Sequence, residues 1–368
     1  MLVLITGGAG FIGSHLADLL LAEGYSVRAL DNLDPQVHGS GAPSYLDRRV
    51  ELRVGDVRDR DAVRDALDGV EAVFHFAAKV GVGQSQYEIA SYTSANVAGT
   101  ATLLDVLANE KHTVGKIVVA SSMSIYGEGM YIDEAGAAVA PPPRSVERLA
   151  AGEFEMAGAG GRPLRPVATP ETKETICESI YALNKKDQEE YTRLFGRVYG
   201  VPVVALRLFN TYGTRQSLNN PYTGAAAIFI SRIRRGLAPL IYEDGRQLRD
   251  FVHVTDVAHA ALLALTSPAA DGRVFNVGSG EAISIADLAA MLGEIAGFDA
   301  APEITGRYRK GDIRHCFADI SAIRAIGYAP RVALREGLRE LYEWSVEQEI
   351  ARSQQQTDAE LERHRLLL

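Results

Sequence analysis

The run Gly7-Gly8-Ala9-Gly10-Phe11-Ile12-Gly13 stands between an apolar segment, Leu2–Thr6, and an amphipathic one, Phe11–Ala22, that ends at Gly24. A strand that passes through glycines directly into a helix is compatible with few folds. Gly7 permits the tight turn, Gly10 lets a pyrophosphate approach the backbone, and Gly13 lets the helix pack close to the sheet. The helix start at Phe11, Ile12 and Gly13 offers free amides and a positive dipole end to phosphates. The next apolar run, Ser26–Asp31, ends on a carboxylate, followed by Asn32. A carboxylate at that place accepts hydrogen bonds from the adenosine ribose hydroxyls and repels a 2′-phosphate, which favours NAD over NADP.

The pattern continues in kind. Val50–Gly55, Ala72–Ala77, Lys116–Ser121 and Val203–Leu208 read as strands, and Ile89–Asn109 and Tyr181–Tyr199 as long helices. Strands separated by helices of this length predict an α/β fold with a doubly wound parallel sheet. We assign residues 1–206 plus 252–275 to this dinucleotide-binding domain, and 207–251 plus 276–346 to a smaller mixed α/β substrate lobe. That lobe carries helices at Ala225–Arg235, Ile285–Ala296 and Leu334–Glu349, and Asp256–Thr266 returns to the first domain. Residues 129–175 are rich in Ala, Gly and Pro and lack periodicity, so they read as an insertion or a long flap. Residues 347–368 form a tail; its polar stretch Ser353–Leu368 reads as a frayed helix or a mobile end.

Bulk properties exclude several classes. With 368 residues the chain can bury a large core, and a net charge of -9 makes it a poor general binder of nucleic acid or of an anionic membrane. Two cysteines, Cys177 and Cys316, cannot form a disulfide framework. The opening apolar run is too short for a signal peptide or a membrane span, so the protein reads as cytoplasmic. His15, His75, His253 and His259 lack the clustering of metal ligands, and no metal is expected.

Tyr181 and Lys185 lie four apart at a helix start, hence on one face, one turn apart. A neighbouring ammonium, with a positive nicotinamide ring, lowers the tyrosine pKa from about 10. A phenolate can then take a proton from a sugar hydroxyl as hydride leaves its carbon. Lys185 can also hydrogen-bond the nicotinamide ribose. Ser121-Ser122-Met123-Ser124 follows the fifth strand, at the end of the sheet where such folds bind ligands. Ser122 is the first candidate to polarise the reacting oxygen and Ser124 the second; the alternative is that both cap the loop. Asp56, followed by Val57, ends the third strand and either meets the adenine edge or caps a helix.

In this order, these residues resemble the extended short-chain dehydrogenase/reductase family, in its nucleotide-sugar epimerase/dehydratase branch. The resemblance spans roughly residues 1–345. It includes His75-Phe76-Ala77-Ala78, Asn96-Val97-Ala98-Gly99-Thr100, Arg207-Leu208-Phe209-Asn210-Thr211-Tyr212-Gly213 and Arg249-Asp250-Phe251-Val252-His253-Val254-Thr255-Asp256. It implies that Asp31, Asn32, Asp56, Val57, Ala77, Ala78, Lys79 and Asn96 join the glycine loop, Tyr181 and Lys185 around NAD. The second lobe would hold a nucleotide-diphosphate sugar. Asn210 would contact its diphosphate or sugar, Arg249 and Arg215 its phosphates, and Arg309 and Asp312 its nucleotide. Arg215 and Arg309 could equally be solvated surface charges.

The resemblance also separates subtypes. Sugar 4,6-dehydratases of this branch carry Asp-Glu where this chain has Met123-Ser124, and family decarboxylases place Glu where it has Ser124. A small hydroxyl at that position matches the 4-epimerases, which oxidise C4 to a transient ketone, turn the sugar and return the hydride. The stretches 215–224, 242–247 and 311–315 look like those of dTDP-L-rhamnose 4-epimerases, as does the 59-residue separation of Ser122 and Tyr181. Those relatives often carry a CxxC-like pair in the insertion; here Ala157–Gly161 holds only Ala and Gly. The substrate is thus a dTDP- or UDP-sugar. The alternatives are a decarboxylase of the UDP-glucuronate type, a 4-keto-sugar reductase, or a non-catalytic NAD-binding regulator. Family members pair the two long helices with those of a second copy, which implies a homodimer.

Overall fold

Side-chain alternation along the first strand sets the architecture. Val3 and Ile5 join the apolar layer that holds Leu16, Leu20, Val257 and Ala261, while Leu4 joins the opposite layer with Val63, Leu103 and Leu107. A strand buried on both faces needs helices on both faces. The computed structural model describes residues 1–39, 41–220, 222, 224–350 and 354–368, with only the backbone at 159 and 354–357. Pro221 and Thr223 of the 215–224 stretch, and Ser353 at the head of the polar tail, lie outside the described residues.

Seven strands form the central sheet: β1 (Leu2–Thr6), β2 (Ser26–Asp31), β3 (Glu51–Val54), β4 (Ala72–His75), β5 (Lys116–Ser122), β6 (Val203–Leu208) and β7 (Val274–Val277). Their order is β7-β6-β5-β4-β1-β2-β3, and every pairing is parallel. The chain reverses direction between β1 and β4, so the carboxyl ends of β1, β2, β4 and β5 surround one crevice. The main helices are α1 (Phe11–Ala22), α2 (Arg60–Leu67), α3 (residues 89–109), α4 (Ile180–Tyr199), α5 (Ala225–Ile233), α6 (Val254–Thr266), α7 (Ile285–Ala296) and α8 (Leu334–Val346). The expected doubly wound sheet is the one found. β7 was not foreseen, and the expected domain boundary at 275 falls inside it.

Three segments depart from the sequence reading. α3 is not one regular helix: a π-turn at Ser94–Ala98 interrupts it. The extra residue carries Asn96 to the end of β4, where its amide accepts from the Lys79 N–H at 2.7 Å and donates to the Lys79 carbonyl at 3.1 Å. The insertion is ordered: Met130–Ile132 pairs antiparallel with Ala138–Val139 and with Arg165–Val167, over a small core of Tyr131, Met156 and Leu164. Buried charges bolt it to the second lobe. Arg144 pairs with Glu243 at 2.9 Å, and the fully buried Arg314 reaches Glu243, Asp244 and Glu155 at 2.8, 2.7 and 2.5 Å. The tail is not frayed, since Gln354–Arg363 is a helix and Leu361 and Leu367 are buried.

The second lobe packs α5, α7 and α8 around Phe229, Ile230, Leu288, Leu292, Leu338 and Leu341. It is joined to the first by the parallel pair Asn210–Tyr212 and Phe251–His253.

Helix α4 is seated on the sheet by a buried ion pair. Arg207 on β6 grips Glu189 with Nε and Nη2 at 3.1 and 2.7 Å, and also donates to the Tyr126 hydroxyl at 2.8 Å. Removing one partner leaves the other charge buried and unpaired, which costs about 3–5 kcal/mol. We therefore expect Arg207→Ala to lose that much stability in urea unfolding, and Arg207→Met with Glu189→Leu to recover most of it. A loss below about 1 kcal/mol in the single variant would show that the pair does not seat the helix.

Candidate active site

The glycines of the first loop differ in what surrounds them. Gly7 has φ +72°, and a Cβ there would lie 2.9 Å from the Ala77 backbone. A Cβ on Gly13 would lie 2.2 Å from the Gly7 carbonyl oxygen. Gly10 is different: a Cβ would meet only the Gly7 carbonyl oxygen, at 3.3 Å. Its outer face is therefore open. Gly10 is also the N-cap of α1 and makes no side-chain cap, so the first-turn amides of Phe11, Ile12 and Gly13 face outward without helical acceptors. An open face beside unpaired amides is a cradle suited to a pyrophosphate.

Asp31 is buried at the end of β2. One oxygen accepts from the Ala9 N–H at 3.0 Å; the other accepts from the Leu33 N–H at 2.9 Å and faces His38 Nε2 at 3.5 Å. The carboxylate thus ties the glycine loop to the second strand. Asn32 donates to Asp56 at 3.0 Å. Hydrogen bonds from Arg58 hold the Asp56 carboxyl down to about 2. Val57 packs its methyls against Gly99 at the middle of α3, a packing role. Ala77, Ala78 and Lys79 follow β4, and Lys79 donates to Ser91 at 2.9 Å.

A buried polar chain fixes the end of β4. The Thr6 hydroxyl accepts from the N–H groups of Phe76 and Ala77 at 3.2 and 3.1 Å, so its own proton goes to His75 Nδ1 at 2.8 Å. His75 Nε2–H then donates to Thr100 at 2.8 Å, and Thr100 donates to the Asn96 carbonyl at 2.6 Å. Burial pushes His75 down to about 3, which keeps it neutral in this role.

Ser179 caps α4 by accepting from the Ala182 N–H at 3.1 Å. Tyr181 follows in the first turn, its N–H donating to the Ser85 hydroxyl at 3.0 Å. Burial raises the Tyr181 phenol to about 12, and a hydrogen bond with Ser122 acts against the rise. Ser122 accepts from both the N–H and the hydroxyl of Ser124, at 3.2 and 2.9 Å. With its lone pairs so used, its proton is directed to Tyr181. One turn on, Lys185 is buried and donates to the Ala120 carbonyl at 2.9 Å. Burial lowers its ammonium to about 7.

On the other side of the crevice the structure gathers Arg249, Arg309 and Asp312. Arg249 donates to the carbonyls of Ile313 and Arg314 at 2.5 and 3.0 Å. Arg309 pairs with Asp312 at 3.1 Å and lies over the Tyr242 ring. Asn210 presents a buried Oδ1 without a hydrogen-bond partner among the described residues. Arg215 stands apart from this group. It has φ +65°, pairs with Asp18 on α1 at 2.7 Å, and stacks on Tyr45, whose hydroxyl donates to the Ala9 carbonyl. A cleft of roughly 460 Å³, counting its open mouth, runs between Tyr126, Ile176 and Glu178, the insertion residues Pro141, Pro143 and Arg144, and Gly311–Ile313.

A model of the NAD dependent epimerase/dehydratase family matches residues 3–147 and 150–278. The chain belongs to this family. It is 36% identical over 354 residues to the dTDP-L-rhamnose 4-epimerase of Burkholderia thailandensis, covering 95% of this chain and 96% of that one. The UDP-glucose 4-epimerase of Thermotoga maritima, solved with UDP-glucose, superposes with a TM-score of 0.77 at 33% identity, over 94% of this chain and 98% of that one. The Thermus thermophilus UDP-glucose 4-epimerase, solved with NAD, gives 0.76 at 30%, over 95% and 100%.

Three residues around this candidate site act through contacts made only in the fold. Ser85 ends a single helical turn, Val82–Ser85, too short to leave a periodic pattern, and the fold brings it to Tyr181. Asp250 is buried and accepts from Ser279, Gly280 and Ala318 backbone amides at 2.7, 2.9 and 3.2 Å, which pins the loop after β7. Arg144 enters the cleft wall from the insertion, 3% exposed, and donates to the Asp312 carbonyl at 2.8 Å.

The lowered Lys185 value gives a stability test. Its folded value, about 7, lies below the ordinary 10.5, so the unfolded chain binds more protons between these limits and stability rises with pH across them. Below pH 7 the full cost of the buried charge is present. Lys185→Met should therefore be more stable than the parent at pH 6, by on the order of 2–4 kcal/mol, and the gap should narrow by pH 9. Equal gaps at both pH values in denaturant titrations would refute this.

Proposed function

We propose that this protein is an NAD-dependent nucleotide-sugar 4-epimerase. The observation that carries this reading is the chain Ser124–Ser122–Tyr181 beside buried Lys185, with Met123 and Ser124 where elimination or decarboxylation would need an added acid or base. NAD, when bound, accepts hydride from C4 and later returns it. The open Gly10 face, the first-turn amides of α1 and the end of β2 would hold it. Tyr181 takes the proton from O4 in the first half-reaction and gives it back in the second. Burial holds the phenol near 12 and the Ser122 hydrogen bond acts against it; Lys185, one turn on, would stabilise the phenolate when protonated. Ser122 donates to the reacting oxygen or to Tyr181, and Ser124 orients it.

Asn210, Arg249, Arg309 and Asp312 would hold the nucleotide diphosphate, leaving the sugar free to turn. Arg249 currently satisfies backbone carbonyls, so binding would exchange those acceptors for phosphate oxygens. Arg215 serves better as a clasp between the second lobe and α1 than as a phosphate ligand. The substrate is a dTDP- or UDP-sugar, and the relative from Burkholderia puts dTDP-L-rhamnose first in a panel. Free thiols at Cys177 and Cys316 suit a reducing compartment such as the cytoplasm. Among the described residues no helix is long and apolar enough to cross a membrane.

A homodimer is part of this reading. On α4, Leu183, Tyr191, Leu194 and Val198 are 46%, 44%, 52% and 66% exposed and lie on one stripe; Ile89 at the start of α3 is 49% exposed. The stripe suits the same helices of a second copy. Sizing with light scattering should give twice the chain mass, and Leu194→Glu with Val198→Glu should halve it. A monomer mass for the parent would end this part of the proposal.

Tyr181→Phe should lose about 10²–10⁴ of kcat while retaining bound NAD. The assay is a panel of dTDP- and UDP-sugars read by NMR for inversion at C4. Normal turnover of the variant would exclude the mechanism, and carbon dioxide from UDP-glucuronate would favour a decarboxylase.

A further inference from the structure

The C-terminal segment lies across the crevice and touches both of its edges. At the catalytic edge, Leu361 packs on Gly83, where a Cβ would lie 3.0 Å from its methyl group. The ring of His364 stacks on Tyr87 at 4.2 Å and 2°. Gly83 and Tyr87 flank Ser85, the residue that takes the Tyr181 N–H. At the nucleotide edge, residues 366–368 meet the segment that carries Arg309 through an isolated antiparallel bridge, Arg309 to Leu367. Tyr308 and Leu368 exchange backbone hydrogen bonds of 2.9 and 3.0 Å, and the Lys310 N–H donates to the Leu366 carbonyl at 3.0 Å. Between the edges, Glu360 accepts from the hydroxyls of Tyr222 and Tyr87 at 2.9 and 3.3 Å. Asp358 accepts from Tyr242, the ring beneath the Arg309 guanidinium, at 2.6 Å.

We infer that residues 358–368 are a latch that retains the nucleotide sugar, opening for exchange and closed while the oxidised sugar turns. The inference rests on the 4-epimerase reading for its purpose, and on the contacts alone for its mechanics. A redox-neutral inversion has a particular need for such a device. Its 4-keto sugar must let go of Tyr181 and Ser122 to turn, and during that interval only the nucleotide end holds it. A latch that fastens the Arg309 segment to the Ser85 turn holds the two walls together without gripping the sugar. Its fastening is also light. Leu361 and Leu367 are 1% and 3% exposed, and the other contacts described above are hydrogen bonds and one stacked ring, with the surface pair Arg307–Glu362 beside them. Elements held in this way open locally far more readily than the core unfolds.

The test compares the full-length protein, a form ending at residue 353, and full-length Glu360→Gln with His364→Ala. Dissociation of UDP and of dTDP is followed by stopped-flow displacement of a fluorescent nucleotide. Absorbance at 340 nm is followed during turnover, because each escape of a keto sugar leaves one reduced cofactor on the enzyme. The truncated form should release nucleotide about tenfold faster, and the double variant two- to threefold faster, since interface losses fall mainly on dissociation. The truncated form should also gain absorbance at 340 nm as it turns over. If it loses NAD or its cooperative unfolding, the double variant decides. Parental release rates in the double variant, or in a folded truncated form, would overturn the latch. Failure of the epimerase reading shows separately, as absence of C4 inversion by the full-length protein, since nucleotide release does not depend on the sugar chemistry.

Discussion

The placement of Tyr181 and Lys185 depends on how deeply α4 sits against the sheet, and the buried Arg207–Glu189 pair sets that depth. Two nitrogens of one guanidinium meet two oxygens of one carboxylate, a geometry that resists sliding as well as separation. Gln188, one residue earlier, donates to Thr100 at 2.9 Å and so joins the same helix to α3. Lys185 and Tyr181 are then one and two turns up a rod whose position is no longer adjustable. This arrangement places a lysine in a site dry enough to lower its ammonium to about 7. The fold accepts that cost because strong polar contacts elsewhere on the helix offset it.

Much of the first domain was legible because its signals are local. β1, β2, β6, α1 and α7 begin and end where the apolar periods predict. The glycine loop was readable because it has to be backbone: two of its glycines are crowded and one faces open space. The tyrosine and lysine were readable because four residues on a helix make one face. What could not be read was non-local. β7 is four residues long and is a strand only because β6 lies beside it. Arg215 looked like a phosphate ligand by position, yet its positive φ turns it toward Asp18 and Tyr45.

The internal order of the insertion and of the tail was not legible for a related reason. Both are stabilised chiefly by specific polar contacts, and those leave no periodic trace. The insertion buries Arg144 by pairing it with Glu243, a residue 99 positions away in the second lobe. The tail buries two of the four leucines in a mostly polar stretch, and hydrophobic pattern alone does not single out those two side chains. The scaffold was legible in local pattern; the enclosure around Tyr181 and Lys185 came from pairings at long range.

The serine chain has one further consequence. Ser124 and its backbone N–H decide where the Ser122 proton points, and neither is part of the sugar. The donor is therefore oriented before either epimer arrives and is the same for both. Such a site lowers the barrier equally from each side. The final ratio of the two sugars would be a property of their own axial and equatorial hydroxyls, and the direction of net flux would be set by whichever reaction in the cell drains one of them.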